Sequence, residues 1–328
     1  MGEIVGAGLL SHVPTIVLPE ADRRRLNEGR ELTLVTGLRQ LRVDVFDAAD
    51  VEYDTVVVLD SHWATTVEFV VAAHRRRSGL FTSDELPRGM SRMPYDFPGD
   101  PELARAIAGF ADRHGTWITA VDDDCLPLHY ATLNLWRYLG AGLPDKRWLS
   151  IGVCQTGDGE DHRRVGRALA DGIAATAGRK VLLIASGALS HTFWPLRELR
   201  DHEASDPAHI VTAQAREADA QRIAWLADGR HDEVLRTMPE FARHRPEAGF
   251  AHYLMLTGAL GEERCTARAR QYGEYENAIG TGQVHLWFDR PDGGWTAAPP
   301  VDAPPVAASS VVTPPVVTPY ESSSREVG

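Results

Sequence analysis

The sequence predicts an α/β sandwich, a single folded body whose central mixed or mostly parallel sheet is flanked by helices. Three observations carry that expectation. Short β-branched and aromatic runs alternate with helix-length segments along residues 1–290. The composition, 43% hydrophobic and 24% charged, is that of a chain with a sizeable core. Beyond Arg290 the pattern stops: eight of the 20 prolines fall in residues 291–328, where fixed φ and missing N–H donors forbid ladder or helix. We expect one folded domain over 1–290 and a Pro-rich, disordered tail over 291–328.

The elements follow in order. Ile4–Leu10 reads as a first strand and Glu31–Ala48 as a helix. Thr55–Leu59, rich in β-branched residues and bounded by Asp, reads as a strand. Ser83–Gly99 is a long Pro/Gly-rich loop of the kind that covers a site. Pro101 after Asp100 starts a helix to His114, since proline suits the first helical turn. Strands Trp117–Val121, Trp148–Cys154 and Lys180–Ala185 alternate with helices Ala131–Leu139 and His162–Ala177. Helices Ala208–Asp228, His231–Thr237 and Phe250–Leu260 precede a last strand, Gln283–Phe288.

Charge and cysteine usage exclude several classes. A net charge of −12 with pI near 5.5 and no basic run argues against nucleic acid or an anionic membrane as partner. No apolar stretch reaches the length of a membrane span, and MGEIVGAGLL lacks the basic start of a secretory signal. Three scattered cysteines (Cys125, Cys154, Cys265) make neither a disulfide framework nor a zinc site, so a cytoplasmic protein is expected.

The chemistry lies in the 13 histidines. Three strands run into the same dipeptide: Ile4–Leu10 into Ser11-His12, Thr55–Leu59 into Asp60-Ser61-His62, and Lys180–Ala185 through Gly187 into Ser190-His191. Ligands bind outside the carboxyl ends of the strands in open α/β sheets, so these imidazoles are expected to converge. Converging neutral imidazoles suit a metal or acid–base site. Two of them need a carboxylate to complete a facial triad on non-haem Fe(II); Glu240, Glu247, Glu262 and Asp60 are candidates that spacing does not separate. Gly6-Ala7-Gly8 nearly opens a dinucleotide fingerprint, but Ser11 replaces its third glycine and Pro14 stops the helix it needs. Gly157-Asp158-Gly159 reads as a turn.

Six blocks in order, GAGLLSHVPTIV, VVVLDSHW, MPYDFPGDPELA, LPLHYATLN, LIASGALSHTFWPL and GTGQVHLWF, resemble the class III (LigB-type) extradiol ring-cleavage dioxygenases, specifically their 3,4-dihydroxyphenylacetate 2,3-dioxygenase-like catalytic subunits. The resemblance spans about residues 3–288. It implies a LigB-like fold, and Fe(II), with Mn(II) as the alternative, held by His12, His62 and Glu247, with Glu240 as the other choice for the carboxylate. It makes His191 the acid–base residue and His129 a donor facing substrate or oxygen. The implied partners are a small aromatic diol and O2, with association into a homo-oligomer or with a paired subunit. Trp63, Tyr95, Phe97, Phe193 and Trp194 are candidate walls for a flat ring, and His252 and His285 lie near the same blocks. A carboxylated substrate needs a cation, for which Arg88, Arg92, Arg243 and Arg245 are available. The alternatives are a 2-aminophenol-type dioxygenase subunit and a non-enzymatic binding protein of the same fold.

Overall fold

Every carboxyl end that delivers a candidate histidine lies on one edge of one sheet. In the computed structural model, which describes residues 1–296, the strands are β1 (Glu3–Leu10), β2 (Thr55–Thr65), β3 (Phe69–Ala72), β4 (Arg76–Phe81), β5 (Met93–Pro98), β6 (Ile118–Val121), β7 (Arg147–Cys154), β8 (Lys180–Ser186), β9 (Ala269–Gln271), β10 (Glu276–Ala278), β11 (Thr281–Gln283) and β12 (His285–Asp289). Eight of them form the main sheet in the order β6-β3-β7-β2-β8-β1-β12-β9. The central run β7-β2-β8-β1 is parallel, whereas β3 against β7, and β12 and β9 at the far edge, are antiparallel. The sheet is therefore mixed around a parallel core. The β4–β5 and β10–β11 pairs form separate hairpins.

Helices α1 (Glu20–Leu26), α2 (Thr33–Leu41), α3 (Pro101–Gly109), α4 (Tyr130–Leu139), α5 (Gly159–Ala175), α6 (Ala213–Ala227), α7 (His231–Arg236), α8 (Met238–Phe241) and α9 (Ala251–Leu260) complete the chain. Alternation along the central strands divides the core in two. Val57 and Leu59 of β2 with Val181 and Leu183 of β8 face Ile107, Leu169 and Met255 of α3, α5 and α9. Val56, Val58, Leu182 and Ile184 point the other way, onto Leu38 of α2 and Leu133 of α4.

Several boundaries differ from the sequence expectation, each for a local reason. The helix expected over Glu31–Ala48 is α2 followed by a π-turn, Arg42–Phe46. The helix expected from His162 begins at Gly159, because Asp158 and Asp161 form a reciprocal capping box; Gly157-Asp158-Gly159 is thus a helix start rather than a free turn. The helix expected from Ala208 begins at Ala213, where the Thr212 hydroxyl accepts from the Ala215 amide. The second half of the expected loop Ser83–Gly99 is β5, and short α1, β3 and β4 carry no strong periodic signal. Gln283–Phe288 divides at Val284, whose backbone leaves the ladder to bond Ser11. Beyond Arg290, Trp295 donates its indole N–H to Ile4 O at 3.0 Å and Thr266 N–H bonds Trp295 O at 3.0 Å, so the packed body runs past the expected boundary. Residues 297–328 of the Pro-rich segment lie outside the described residues.

Candidate metal centre and active site

β1 ends at Leu10, and the chain carries His12 across the sheet edge into a fully enclosed position. Its Nδ1 lies 3.0 Å from Ser186 Oγ, and that hydroxyl donates to Ala131 O at 2.8 Å. A hydroxyl has one proton to give, so Ser186 accepts from His12 Nδ1–H. The proton is thereby assigned to Nδ1, and the Nε2 lone pair is left for a ligand.

His62 arrives differently. β2 does not end at Leu59 but bulges: Asp60 pairs with Gly152 and Ala64 with Val153, leaving Ser61, His62 and Trp63 out of the ladder. Asp60 holds the bulge. Its Oδ1 accepts from the His62 and Trp63 amides at 3.0 and 2.9 Å, and its Oδ2 from Thr132 Oγ1 at 2.7 Å. Gly152 makes room for it, since a Cβ there would stand 2.6 Å from Trp63 O. Asp60, a carboxylate candidate by type, is thus committed to the bulge amides and to Thr132.

Glu247 is placed by unusual backbone. Ala248 and Phe250 sit at φ 47° and 68° with Gly249 at 64°, a left-handed turn that costs an L-residue about 1–2 kcal/mol. Neighbours over-determine it: Glu247 N–H bonds Leu189 O, Pro246 bridges to Ser190, and the Phe250 ring is buried. The carboxylate then accepts from Ser61 Oγ at 2.6 Å and from the Ala188 amide at 2.6 Å.

The three side chains meet. Glu247 Oε1 is 3.4 Å from His12 Nε2 and 3.9 Å from His62 Nε2, and one donor atom from each lies within 4.8 Å of the others. Burial alone would push the Glu247 carboxyl up, yet the imidazoles of His12, His191 and His252 hold it well below the usual range. Burial likewise opposes protonation of His12, but the Glu247 carboxylate outweighs it and raises that pKa. For His62, burial and the His12 imidazole both lower it. Two imidazoles, one with its proton fixed away from the cluster, and an ionised carboxylate are a donor set that fits a divalent metal.

His191 and His129 flank this cluster. His191 N–H bonds Arg245 O at 3.1 Å, which ties it to the Glu247 segment, and the Phe193 ring stands edge-on to it at 4.7 Å. Burial lowers its pKa against the opposing pull of Glu247. His129 caps α4, its ring parallel to Trp63 at 6.0 Å; burial lowers its pKa, and its buried Nε2 has no partner among the described residues.

Other expected residues go elsewhere. Glu240 is exposed on α8, and Glu262 pairs with Arg163 and Arg167. Phe97 packs on Trp136 in the core, and Trp194 stacks on His202 at 3.8 Å, so neither stands as a wall of the cluster. His285 accepts from the Ser11 amide inside the core. His252 is fully buried against Gly187, where a Cβ would lie 2.5 Å from its ring, and burial pushes it down to about 4.

Three contacts escaped the sequence. Ser186 is an unmarked strand end. The Tyr130 hydroxyl lies 2.5 Å from His62 Nε2 and 3.1 Å from Glu85 Oε2, and burial raises its pKa so that it stays a donor. Glu85, in the covering loop, reaches His62 Nδ1 at 3.4 Å. Only Tyr130 carried a signal, its place beside His129 in LPLHY.

Residues 6–288 match the family described as the catalytic LigB subunit of aromatic ring-opening dioxygenase. The chain belongs to the LigB family. It is a ring-cleavage dioxygenase of this metal-dependent family, and its His12–His62–Glu247 cluster could hold the metal. The LigB sequence is similar to the 3,4-dihydroxyphenylacetate 2,3-dioxygenase of Escherichia coli, 28% identical over 269 residues, 80% of this chain and 92% of that protein. The LigB fold is also seen in the crystal structure of an uncharacterized protein from Escherichia coli K12, with a TM-score of 0.56 and 16% identity over 86% of this chain and 99% of that one. Among the described residues no helix is long and apolar enough to cross a membrane.

Proposed function

We propose that this enzyme performs extradiol cleavage of catechol or a substituted catechol such as 3,4-dihydroxyphenylacetate, with His12, His62 and Glu247 holding Fe(II), or Mn(II) in its place. The observation that carries the reading is the donor set itself: an imidazole locked with Nε2 free, a second imidazole presented by a bulge, and a buried ionised carboxylate, all within 4.8 Å. An Fe(II) ion held there supplies a meeting point for diol and O2 and the redox activity that O2 needs. Both oxygen atoms enter the product, a ring-opened muconic semialdehyde, so no external reductant is consumed.

The protein side chains handle protons and orientation. His191, kept neutral by burial at pH 7, takes one phenolic proton as the diol binds and returns it to oxygen during ring opening. His129 offers an unpartnered buried nitrogen to charge developing on substrate oxygen, while Tyr130 holds its hydroxyl on Glu85 beside His62. Buried Trp63 stands parallel to His129 and limits water around it, and the half-exposed Phe193 ring stands edge-on to His191.

The test loads the protein anaerobically with Fe(II) and then supplies air-saturated buffer with catechol, 3,4-dihydroxyphenylacetate or 2-aminophenol. We expect oxygen uptake and a yellow semialdehyde with a diol, and loss of both iron and activity in His12→Ala. Turnover of 2-aminophenol alone would replace the diol reading, and a His12→Ala protein with full iron and activity would overturn the ligand assignment.

A further inference from the structure

The loop that leaves β8 carries Ala188, whose amide bonds Glu247, and His191, so the position of Ser190 between them matters to both. Ser190 is held from three directions. Its carbonyl accepts from Gly282 N–H at 2.8 Å in β11, and it bridges to Pro246, next to Glu247. Its own donors, however, both go to one side chain. The Ser190 amide lies 3.0 Å from Asp219 Oδ1, and its hydroxyl 2.6 Å from Asp219 Oδ2.

Asp219 projects from the middle of α6 and is fully buried, a costly place for a carboxylate unless its oxygens are met. A third donor, the Tyr275 hydroxyl, lies 2.5 Å from Oδ2. Arg222, one turn along α6, spends its guanidinium on Ala218 O and Thr237 rather than on Asp219. The carboxylate is thus dedicated to Ser190 and Tyr275, a geometry an apolar residue of the same size would not give. Burial raises its pKa to about 6 against the pull of the Ser190 and Tyr275 hydrogen bonds.

We infer that Asp219 is a positioning residue: through its paired bonds to the Ser190 amide and hydroxyl it sets the reach of His191 over the His12–His62–Glu247 cluster. The inference rests on the acid–base role proposed for His191. Asp219 touches no metal ligand, and Glu247 keeps its own bonds to Ser61 and the Ala188 amide, so removing Asp219 shifts the proton carrier more than the metal donors. A displacement of about 1 Å at a reacting group costs on the order of a hundredfold in rate.

The experiment compares the full chain with Asp219→Asn, Ser190→Ala and Tyr275→Phe after Fe(II) loading. It measures iron per chain, kcat and KM for 3,4-dihydroxyphenylacetate, and amide exchange over residues 187–192. Asp219→Asn replaces one acceptor by a donor that faces another donor. We expect kcat per bound iron to fall about ten- to a hundredfold, with KM and iron content changed less than about threefold. Ser190→Ala should lose less, Tyr275→Phe least, and exchange should rise in 187–192 for the first two only. Unchanged kcat per bound iron with a lowered melting temperature would make Asp219 a scaffold residue and overturn the inference. If Asp219→Asn fails to fold, Ser190→Ala carries the same split. If the wild-type protein turns over no diol, the proposed function has failed; the exchange measurement still reads the clamp, and unchanged exchange in 187–192 would overturn it separately.

Discussion

Ser186 governs His12 without joining the cluster. Because its hydroxyl proton is taken by Ala131 O, it presents only a lone pair to Nδ1, and the imidazole must keep its proton there. Ser186→Ala removes the acceptor and frees the ring to rotate or change tautomer. Loss of such an outer partner typically weakens a metal site 10- to 100-fold, so a chelator competition should show Fe(II) affinity falling by about that factor with the fold intact. An unchanged affinity would mean that packing alone orients His12. The residue scale also shows what the chain disclosed. His12, His62 and His191 were legible because each lies in a Ser-His dipeptide downstream of an apolar strand, and strand ends are where ligands bind. Glu247 was not legible from spacing: its position depends on left-handed Ala248 and Phe250, conformations that residue type argues against. Ser186 and Glu85 are ordinary residues whose roles exist only through long-range contact.

At the scale of elements, the bulge in β2 matters more than the strand. In an unbroken strand successive side chains would alternate between faces, and His62 would take whichever face its register dictated. The three unpaired residues between Asp60 and Ala64 instead throw Ser61 toward Glu247 and His62 toward His12. The bulge exists because Asp60 accepts its amides and because Gly152 opposite has no side chain. Gly152→Ala would bring a methyl to 2.6 Å from Trp63 O, backbone that has little freedom to move. We expect the variant to lose about 1–3 kcal/mol of stability, as overpacked sites do, and to bind Fe(II) poorly, measured by chemical denaturation and iron content. Wild-type iron binding in a stable Gly152→Ala protein would show that the bulge tolerates its neighbour. Apolar runs of β-branched residues gave the central strands to sequence reading, whereas their exits were hidden: a bulge and a capping box depend on one partner each.

For the molecule as a whole, the two-faced core holds histidines that must stay neutral to remain buried, and this ties stability to pH. His285 is the clearest case. It is fully buried, accepts from the Ser11 amide through Nδ1, and burial pushes it down to about 3. Protonating Nδ1 would set two donors against each other. An unfolded histidine titrates near 6.5, so below that pH the unfolded chain takes up a proton that the folded chain refuses until about pH 3. The folded state therefore binds fewer protons, and its stability is full above pH 6.5 and falls as the pH drops toward 3. A single such group contributes a slope of about 1.4 kcal/mol per pH unit within that window. His252, down to about 4, acts with the same sign, while His12, raised by Glu247, acts with the opposite one. The total slope is a sum, and a variant isolates one member. In His285→Asn the amide oxygen can replace Nδ1 as acceptor for Ser11 and cannot titrate. Urea unfolding of metal-free wild type and variant at pH 7.5, 6 and 5 should give curves whose stability difference shrinks by about 1.4 kcal/mol per unit below pH 6.5, in favour of the variant. Parallel pH dependences would mean that the folded chain admits the proton and that this part of the core opens to water.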